Sequence, residues 1–582
     1  MILQTILQPN ERTCKETEMY YREEAEKRVY NTYFNLLSIA KWRKYTSIQT
    51  YMLHITAVGN FSIELYDTDR KLTEQEFHLA EPQEITLEIP YREDSFCVYF
   101  AFVPMSPEAK LISGEYETPE APVHTVKLAL DICTYRREAY VERNLKVLKD
   151  SILEQSASPL HDRVDAYIID NGRTLDANAF VSDKIHVIPN INAGGTGGFT
   201  RGAMEILKRK ESQGYTHMIF MDDDAVLEPD AIVRTFALLS FLRVQYRTAA
   251  VGGAMLRLDL RYVLHETGTH WQGTDPVIPY PGMDLRQAEQ VYINERIPGS
   301  DYAPWWFGCY SLEVVRHDNL PTPFFLHMDD VEYGIRQKQE VILLNGINVW
   351  HQSFENKRAS NLSYYDVRNI MITNAVYAKD GRKRLMTRYV LKRMLANLLR
   401  YRYRDVKLVY VAVRDFCRGI DYLENLEPEA KNQAISKAGY TMKPVEELTK
   451  DPKILAEIYA YQEPENPEEI YHSSHKAHPL KYLLTLNGWI FPSHRDKIYV
   501  YPAGIWPAAF YRKQDVILFD PETHKGIRVH KSWKMMFQCI GIIIKTLGLM
   551  NSRYNQARQG YHDQIRETWT EEFWKGYLRL DK

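Results

Sequence analysis

Three consecutive carboxylates close an apolar run in Met218-Ile219-Phe220-Met221-Asp222-Asp223-Asp224. In extended chain, alternate side chains share a face, so Asp222 and Asp224 can converge on one cation. Hard oxygen donors at that spacing suit Mg2+ or Mn2+, ions that commonly bridge phosphates. A reaction that expels a nucleoside diphosphate uses such an ion to offset the charge growing on the leaving group. An acidic turn between strand and helix, with Asp223 or Asp224 near the helix N-terminus, explains the triplet alone equally well. An EF-hand does not, because its D-x-[DN]-x-[DN]-G ladder and distal Glu are missing.

Four further stretches carry groups that suit the same chemistry. Asn192-Ala193-Gly194-Gly195-Thr196-Gly197-Gly198 brings backbone N–H groups close to a phosphate or sugar, or simply turns. It lacks the G-K-[ST] of a P-loop and the placement of a dinucleotide fingerprint. Trp305-Trp306 offers an apolar platform for a sugar face, or a piece of core. Asp329-Asp330 follows the apolar run Phe324–Met328. One carboxylate beside a cleft can take a hydroxyl proton, and either can cap a helix. His351, after Val349-Trp350, is a packed core imidazole or a third ligand to the ion.

Alternating elements from Val126 onward must position these groups. Val126–Cys133, Ala166–Asp170, Ile185–Ile188, His217–Met221 and Ala249–Gly253 read as strands. Arg137–Leu153, a segment from Phe199 to before Gly214, and Pro229 to about Arg243 read as helices. The alternation predicts an α/β fold with a mostly parallel sheet and ligands at the strands' carboxyl ends, where the candidates cluster. Residues 1–122 predict a β-sandwich or jelly roll from Tyr51–Val58, Phe61–Tyr66, Glu84–Ile89 and Phe96–Phe102, with a turn at Gly59-Asn60. Glu115–Val123 reads as a linker. Residues 123–380 form the α/β domain. Residues 381–582 form a mainly helical domain with hairpin-like pieces near Ile498–Tyr501 and Val516–Asp520.

Composition narrows the classes. The 582 residues carry a net charge of −3, which gives no general pull toward nucleic acid. The six cysteines are scattered without a C-x-x-C pair, which argues against a disulfide framework or zinc site and for a reducing compartment. The first residues lack a signal-peptide pattern, and no apolar run reaches the ~20 residues of a membrane span. A cytoplasmic protein is expected. Arg382–Lys407 holds ten Lys/Arg against one acid, Asp405. It and the amphipathic Met535–Met550 suit peripheral contact with the inner membrane face, or are a solvated face and a buried helix. Homo-oligomerisation stays open.

The order of these motifs over about residues 126–370 resembles family-2 glycosyltransferases with the GT-A fold. Within them it resembles the bacterial cell-wall galactofuranosyltransferases. Asn192–Gly202 matches their Asn-x-Gly-Gly-x-Gly-Gly-Phe-x-Arg-Gly loop, and Phe220–Asp224 with Leu227-Glu228-Pro229 matches their Phe-Met-Asp-Asp-Asp followed by Leu-Glu-Pro. The Trp-Trp pair, the Asp-Asp-x-x-Tyr-Gly segment and a downstream Trp-His also agree. The resemblance implies an inverting transfer of galactofuranose from UDP-galactofuranose to a lipid-linked glycan acceptor. It implies that Thr134, Tyr135, Arg137 and Asp170 hold the uridine, and that Asn192, Gly194 and Gly195 line the donor sugar and diphosphate. Asp222, Asp224 and His351 would bind Mn2+ or Mg2+, with Asp223 on the ribose. Asp330 would be the base beside Asp329, and Trp305, Trp306 and His265 would meet the acceptor.

Two departures leave alternatives open. Thr134-Tyr135-Arg136-Arg137 lacks the Asn and Pro of relatives, and His327-Met328 stands where the galactan polymerase has Lys-Trp. A rhamnosyl- or other hexosyltransferase, a nucleotidyltransferase and an inactive carbohydrate-binding protein are the rival readings.

Overall fold

The computed structural model describes residues 1–180, 182–354, 356, 358–379, 381–462 and 484–580; position 380, the expected domain boundary, lies outside them. The fold is mixed α/β, with several sheets and a helical carboxy-terminal region.

The apolar runs ahead of the acidic and glycine motifs build the central sheet. Its seven strands lie in the order Ile185–Pro189, Val164–Asp170, Leu128–Thr134, His217–Asp222, Gly308–Ser311, Ala250–Gly252, Val341–Ile342. The first four are mutually parallel. Gly308–Ser311 runs antiparallel to both neighbours. All seven residues of Val164–Asp170 are buried, as expected of a strand covered on both faces. The chain steps from Leu128–Thr134 toward one edge, then returns to that strand's other side with His217–Asp222. Strand order reverses there, the place where open α/β sheets bind ligands outside the strands' carboxyl ends. Thr134 and Asp222 are their last residues.

The glycine stretch does not precede its helix, as expected, but lies within it: the helix is Gly194–Gln213. A Cβ on Gly198 would lie 2.1 Å from Cys133 Sγ, and one on Gly202 would lie 2.0 Å from Asp131 Oδ1. The missing side chains let this helix lie directly on the strand Leu128–Thr134, which offsets the poor helix propensity of glycine.

The amino-terminal strands form one continuous hydrogen-bonded sheet of seven strands, where a sandwich was expected. The expected turn at Gly59-Asn60 is an irregularity inside a single strand, Met52–Asp67. Its first half pairs with Lys110–Glu117 and its second half with Val98–Pro104. One long strand shared by two sets of neighbours keeps the sheet whole, and Gly59, at φ +93°, supplies the bend. The expected linker is shorter than Glu115–Val123, because Glu115, Tyr116 and Glu117 pair with that strand.

In the carboxy-terminal region, Leu362–Tyr377, Lys383–Leu399, Tyr403–Phe416 and Trp533–Gln564 pack around one apolar cluster. The pieces expected as a hairpin belong to His494–Pro502 and Lys513–Asp520, which pair in parallel. The hairpin is instead Lys513–Asp520 with Lys525–His530. Trp533–Gln564 is long and apolar enough to cross a membrane by length and composition. It buries a stripe through Met536, Cys539, Ile543 and Met550 against the protein and exposes Trp533, Phe537 and Ile544.

Candidate active site

A second, four-stranded sheet brings the remaining candidate to these strand ends. In it the two-residue strand Val226–Leu227 pairs antiparallel with Asn348–His351, Val226 opposite Trp350. That register brings His351 back to the acidic triplet. Its Nε2 lies 3.0 Å from Asp224 Oδ1, and its Nδ1 lies 2.7 Å from the Gln352 carbonyl oxygen. The carbonyl fixes the hydrogen on Nδ1, so Nε2 presents a lone pair to a carboxylate oxygen. A proton or a cation belongs between two such acceptors. The ligand atoms of Asp222, Asp224 and His351 all lie within 4.8 Å of one another. Burial acts most strongly on Asp222. His351 opposes it, the charges of Asp224, Asp223 and Asp329 add to it, and the carboxyl is raised to about 7. Crowded carboxylates with an oriented imidazole fit Mn2+ or Mg2+.

Several expected donor contacts turn out to shape the site. Thr134 Oγ1 donates to Asp223 Oδ2 at 2.6 Å. Arg137 Nη1 bridges Asp223 Oδ1 at 3.0 Å and Asp224 Oδ2 at 2.9 Å. Asp223 is buried and its pKa is raised by that burial, with Arg137 and Thr134 pulling the other way. Asp170 is consumed by its own loop: its carboxylate accepts the N–H groups of Gly172, Thr174 and Leu175 at 2.7–2.9 Å. Asn192 Oδ1 accepts the Gly194 N–H at the start of the glycine helix. Both acids and amides of this kind serve turns and helix starts by such bonds. Gly194, at φ +74°, has the Phe325 carbonyl where a Cβ would sit, so it joins the donor strands to the Asp329 segment. Gly195 is open on its Cβ side apart from the Phe199 ring. Tyr135 is 43% exposed at the rim, with the Arg136 guanidinium over its ring at 5.3 Å.

Asp329 and Asp330 open the helix Asp329–Gln337, and the residue before it, Met328, is left-handed. Phe325, His327 and Met328 all have positive φ, an unfavourable state for side chains of this size. The helix Leu362–Tyr377 holds the segment in place. Asn369 Nδ2 donates to the carbonyls of Phe324, Leu326 and His327, and Arg368 Nη2 donates to that of Phe324 at 2.7 Å. Thr196 Oγ1 donates to Asp329 Oδ2 at 2.6 Å. Both carboxylates are partly buried and keep some contact with solvent. Asp330 is raised by burial first and then by Asp329.

The expected acceptor platform is only partly available. Trp305 is 4% exposed and packs among Phe199, Phe220 and Tyr333, so it is core and leaves no open face for a sugar. Trp306 is also buried and donates through Nε1 to the Gly253 carbonyl. Phe354, exposed, gathers Trp306, His265 and His351 around one ring. Sequence reading missed that ring, and it missed Glu266, a buried carboxyl held by Tyr302 and Thr269 whose charge acts on Asp330. It also missed Arg143 and Asn144, which hold the backbone carbonyls of residues 223–225. Their one signal is polar side chains on the inner face of the helix Glu138–Leu148.

Fold and site together define an α/β protein with an acidic, imidazole-bearing cluster at the carboxyl ends of a mostly parallel sheet. The chain is 26% identical over 437 residues to galactofuranosyltransferase GlfT2 of Mycobacterium tuberculosis, across 69% of this chain and 67% of that protein. It is 26% identical over 436 residues to GlfT2 of Mycolicibacterium smegmatis, across 69% of this chain and 66% of that protein. The match thus spans about two thirds of each relative. No protein-family profile matches the chain. A solved glycosylation associate protein (Gap123) complex from Streptococcus agalactiae aligns over 37% of this chain and 86% of its own at 10% identity. Its TM-score of 0.13 carries no argument.

Proposed function

We propose that this protein is an inverting, metal-dependent glycosyltransferase that moves galactofuranose from UDP-galactofuranose to a lipid-linked glycan. The convergence of Asp222, Asp224 and His351 beside Asp329 and Asp330 carries the reading. Similarity to the two galactofuranosyltransferases supports the choice of sugar. The mostly parallel sheet, with the acidic cluster where strand order reverses, supports the GT-A reading.

Each residue then has a task. Asp222, Asp224 and His351 would hold Mn2+ or Mg2+, which when bound offsets charge on the departing UDP. Arg137 fixes Asp223 and Asp224, and Tyr135 at the rim stacks on the base. The N-terminus of the glycine helix directs N–H groups toward the diphosphate. Asp330 takes the acceptor hydroxyl proton. Its Oδ1 is held by the Val331 N–H at 2.7 Å, which leaves Oδ2 for that proton. A raised carboxyl is the stronger base for a weakly acidic hydroxyl. Attack from the side opposite UDP inverts the transferred carbon without a covalent enzyme intermediate. The protein would work in the cytoplasm, with Trp533, Phe537 and Ile544 beside Lys534 and Lys545 touching the membrane surface.

Release of UDP on mixing UDP-galactofuranose, a lipid-linked galactan fragment and Mn2+ tests the reaction. No release with any nucleotide sugar would leave a binding protein. Stronger thermal stabilisation by dTDP than by UDP would turn the reading toward a rhamnosyltransferase.

A further inference from the structure

The basic stretch Arg382–Lys407 has no part in the reaction above, and the structure divides it. Arg384, Arg388 and Lys392 face solvent. Arg393 and Arg400, seven residues apart, share one face of the helix Lys383–Leu399 and its C-cap and are half-buried. Arg402, just beyond, is buried.

Two of the three inward guanidinium groups are paired with carboxylates, and the third is not fully satisfied. Arg393 Nη2 reaches Asp366 Oδ2 at 3.1 Å. Arg402 binds Asp405 through Nε and donates to the Arg358 carbonyl at 2.7 Å. Arg400 Nε is buried with no hydrogen-bond partner among the described residues. Burial first, then the charges of Arg358, Arg402 and Arg393, push the Arg400 guanidinium down to about 9. Asp366, Asp405 and the exposed Asp275 act on Arg393 from the other side. Asp405 also opposes the shift of Arg400, yet a buried donor without a partner is costly unless an acceptor joins it. Phosphate oxygens match forked guanidinium N–H donors two at a time.

This group is also wired to the reaction centre. Asp366 Oδ1 lies 2.9 Å from His327 Nδ1, and His327 stands two residues before Asp329. His327 is half exposed, and its charge acts on both carboxylates.

We propose that Arg393 and Arg400, backed by Arg402, form a binding site for a phosphate or diphosphate group carried by the acceptor. The site would seat the charged end of a lipid-linked glycan while its sugar end reaches Asp330. The acceptor clause rests on the transferase reading; the anion site does not.

Calorimetry with inorganic pyrophosphate in excess EDTA keeps the metal cluster out of play. The unmutated protein is expected to bind, Arg400→Gln to bind at least ~10-fold more weakly, and Arg388→Gln, on the solvent face, to be unchanged. No binding, or equal loss in both variants, overturns the site. Phenylglyoxal labelling of the unmutated protein gives a readout free of any folding defect: pyrophosphate should shield Arg393 and Arg400, and unaltered labelling overturns the site. Competition by a glycan bearing a short-chain lipid diphosphate supports the acceptor as source. Competition by phosphatidylglycerol vesicles instead overturns that clause. Pyrophosphate binding needs no turnover, so its outcome is separate from that of the UDP-release assay.

Discussion

Asp330 and His351 have separable tasks, and single substitutions can tell them apart. Asp330→Asn removes the proton acceptor but keeps shape and hydrogen bonding. Transfer should fall by about 10²–10⁴-fold, while UDP affinity in Mn2+ is kept. His351→Ala should do the reverse in binding: metal-dependent UDP affinity falls, as judged by calorimetry with and without Mn2+. If His351→Ala leaves the metal dependence unchanged, the imidazole is packing only. A third residue sets an acid limit. His217, at the start of the triplet's strand, is buried, and burial, then His124, lower it to about 4. The unfolded chain takes up this proton below about 6.5, the fold only near 4. Stability from this group is therefore full above about pH 6.5 and lost as pH falls toward 4, on the order of 3 kcal/mol. Urea midpoints at pH 5 and 7.5 should differ less in His217→Gln than in the parent; an equal difference would exonerate His217.

Two elements gain their value from contacts that leave no room. The glycine helix sits on the strand Leu128–Thr134 with Cys133 and Asp131 filling the places of Cβ atoms. The segment Phe325–Met328 is held in three unfavourable backbone states by Asn369, which is fully buried. Asn369→Asp keeps the size but exchanges the donor for a carboxylate facing three carbonyl oxygens. The segment should relax, and Asp329 and Asp330 should lose their aim. The expected signature is a turnover number reduced at least ~10-fold with unchanged UDP affinity. A loss confined to UDP affinity would place Asn369 on the donor side instead.

At the scale of the whole molecule, the three segments read from the sequence are not separate bodies. One apolar cluster joins Leu53 and Phe100 of the first sheet to Leu130, Leu238 and Val349 of the α/β region. The buried Arg234 ties these parts again, donating to the carbonyls of Phe34 and Asn345. Another cluster joins Phe199 and Trp305 to Trp574 and Leu578 near the chain's end. Trp574 is fully buried and donates to the Pro321 carbonyl at 3.0 Å. Trp574→Ala should cost about 3–5 kcal/mol, seen as a lower unfolding midpoint for the entire chain. Two transitions, with the central sheet unaffected, would show the carboxy-terminal region to be independent.

The sequence by itself determined five of the central sheet's seven strands, the parallel run of the first four and the kinds of chemistry at their ends, but not Gly308–Ser311, which runs antiparallel, or the edge strand Val341–Ile342. Buried strands must be apolar, and a strand that ends in Asp222-Asp223-Asp224 delivers carboxylates wherever the sheet lies. It could not show that the glycines belong to a helix, because their reason is the closeness of Cys133 and Asp131, residues far away in the chain. Nor could it assign Asp170 and Asn192 to backbone N–H groups, Trp305 to core, or Arg400 to the interior, since each depends on what packs opposite. The decisive distance, Asp224 to His351, spans 127 positions of sequence and follows from a two-residue ladder whose register only the folded sheet fixes.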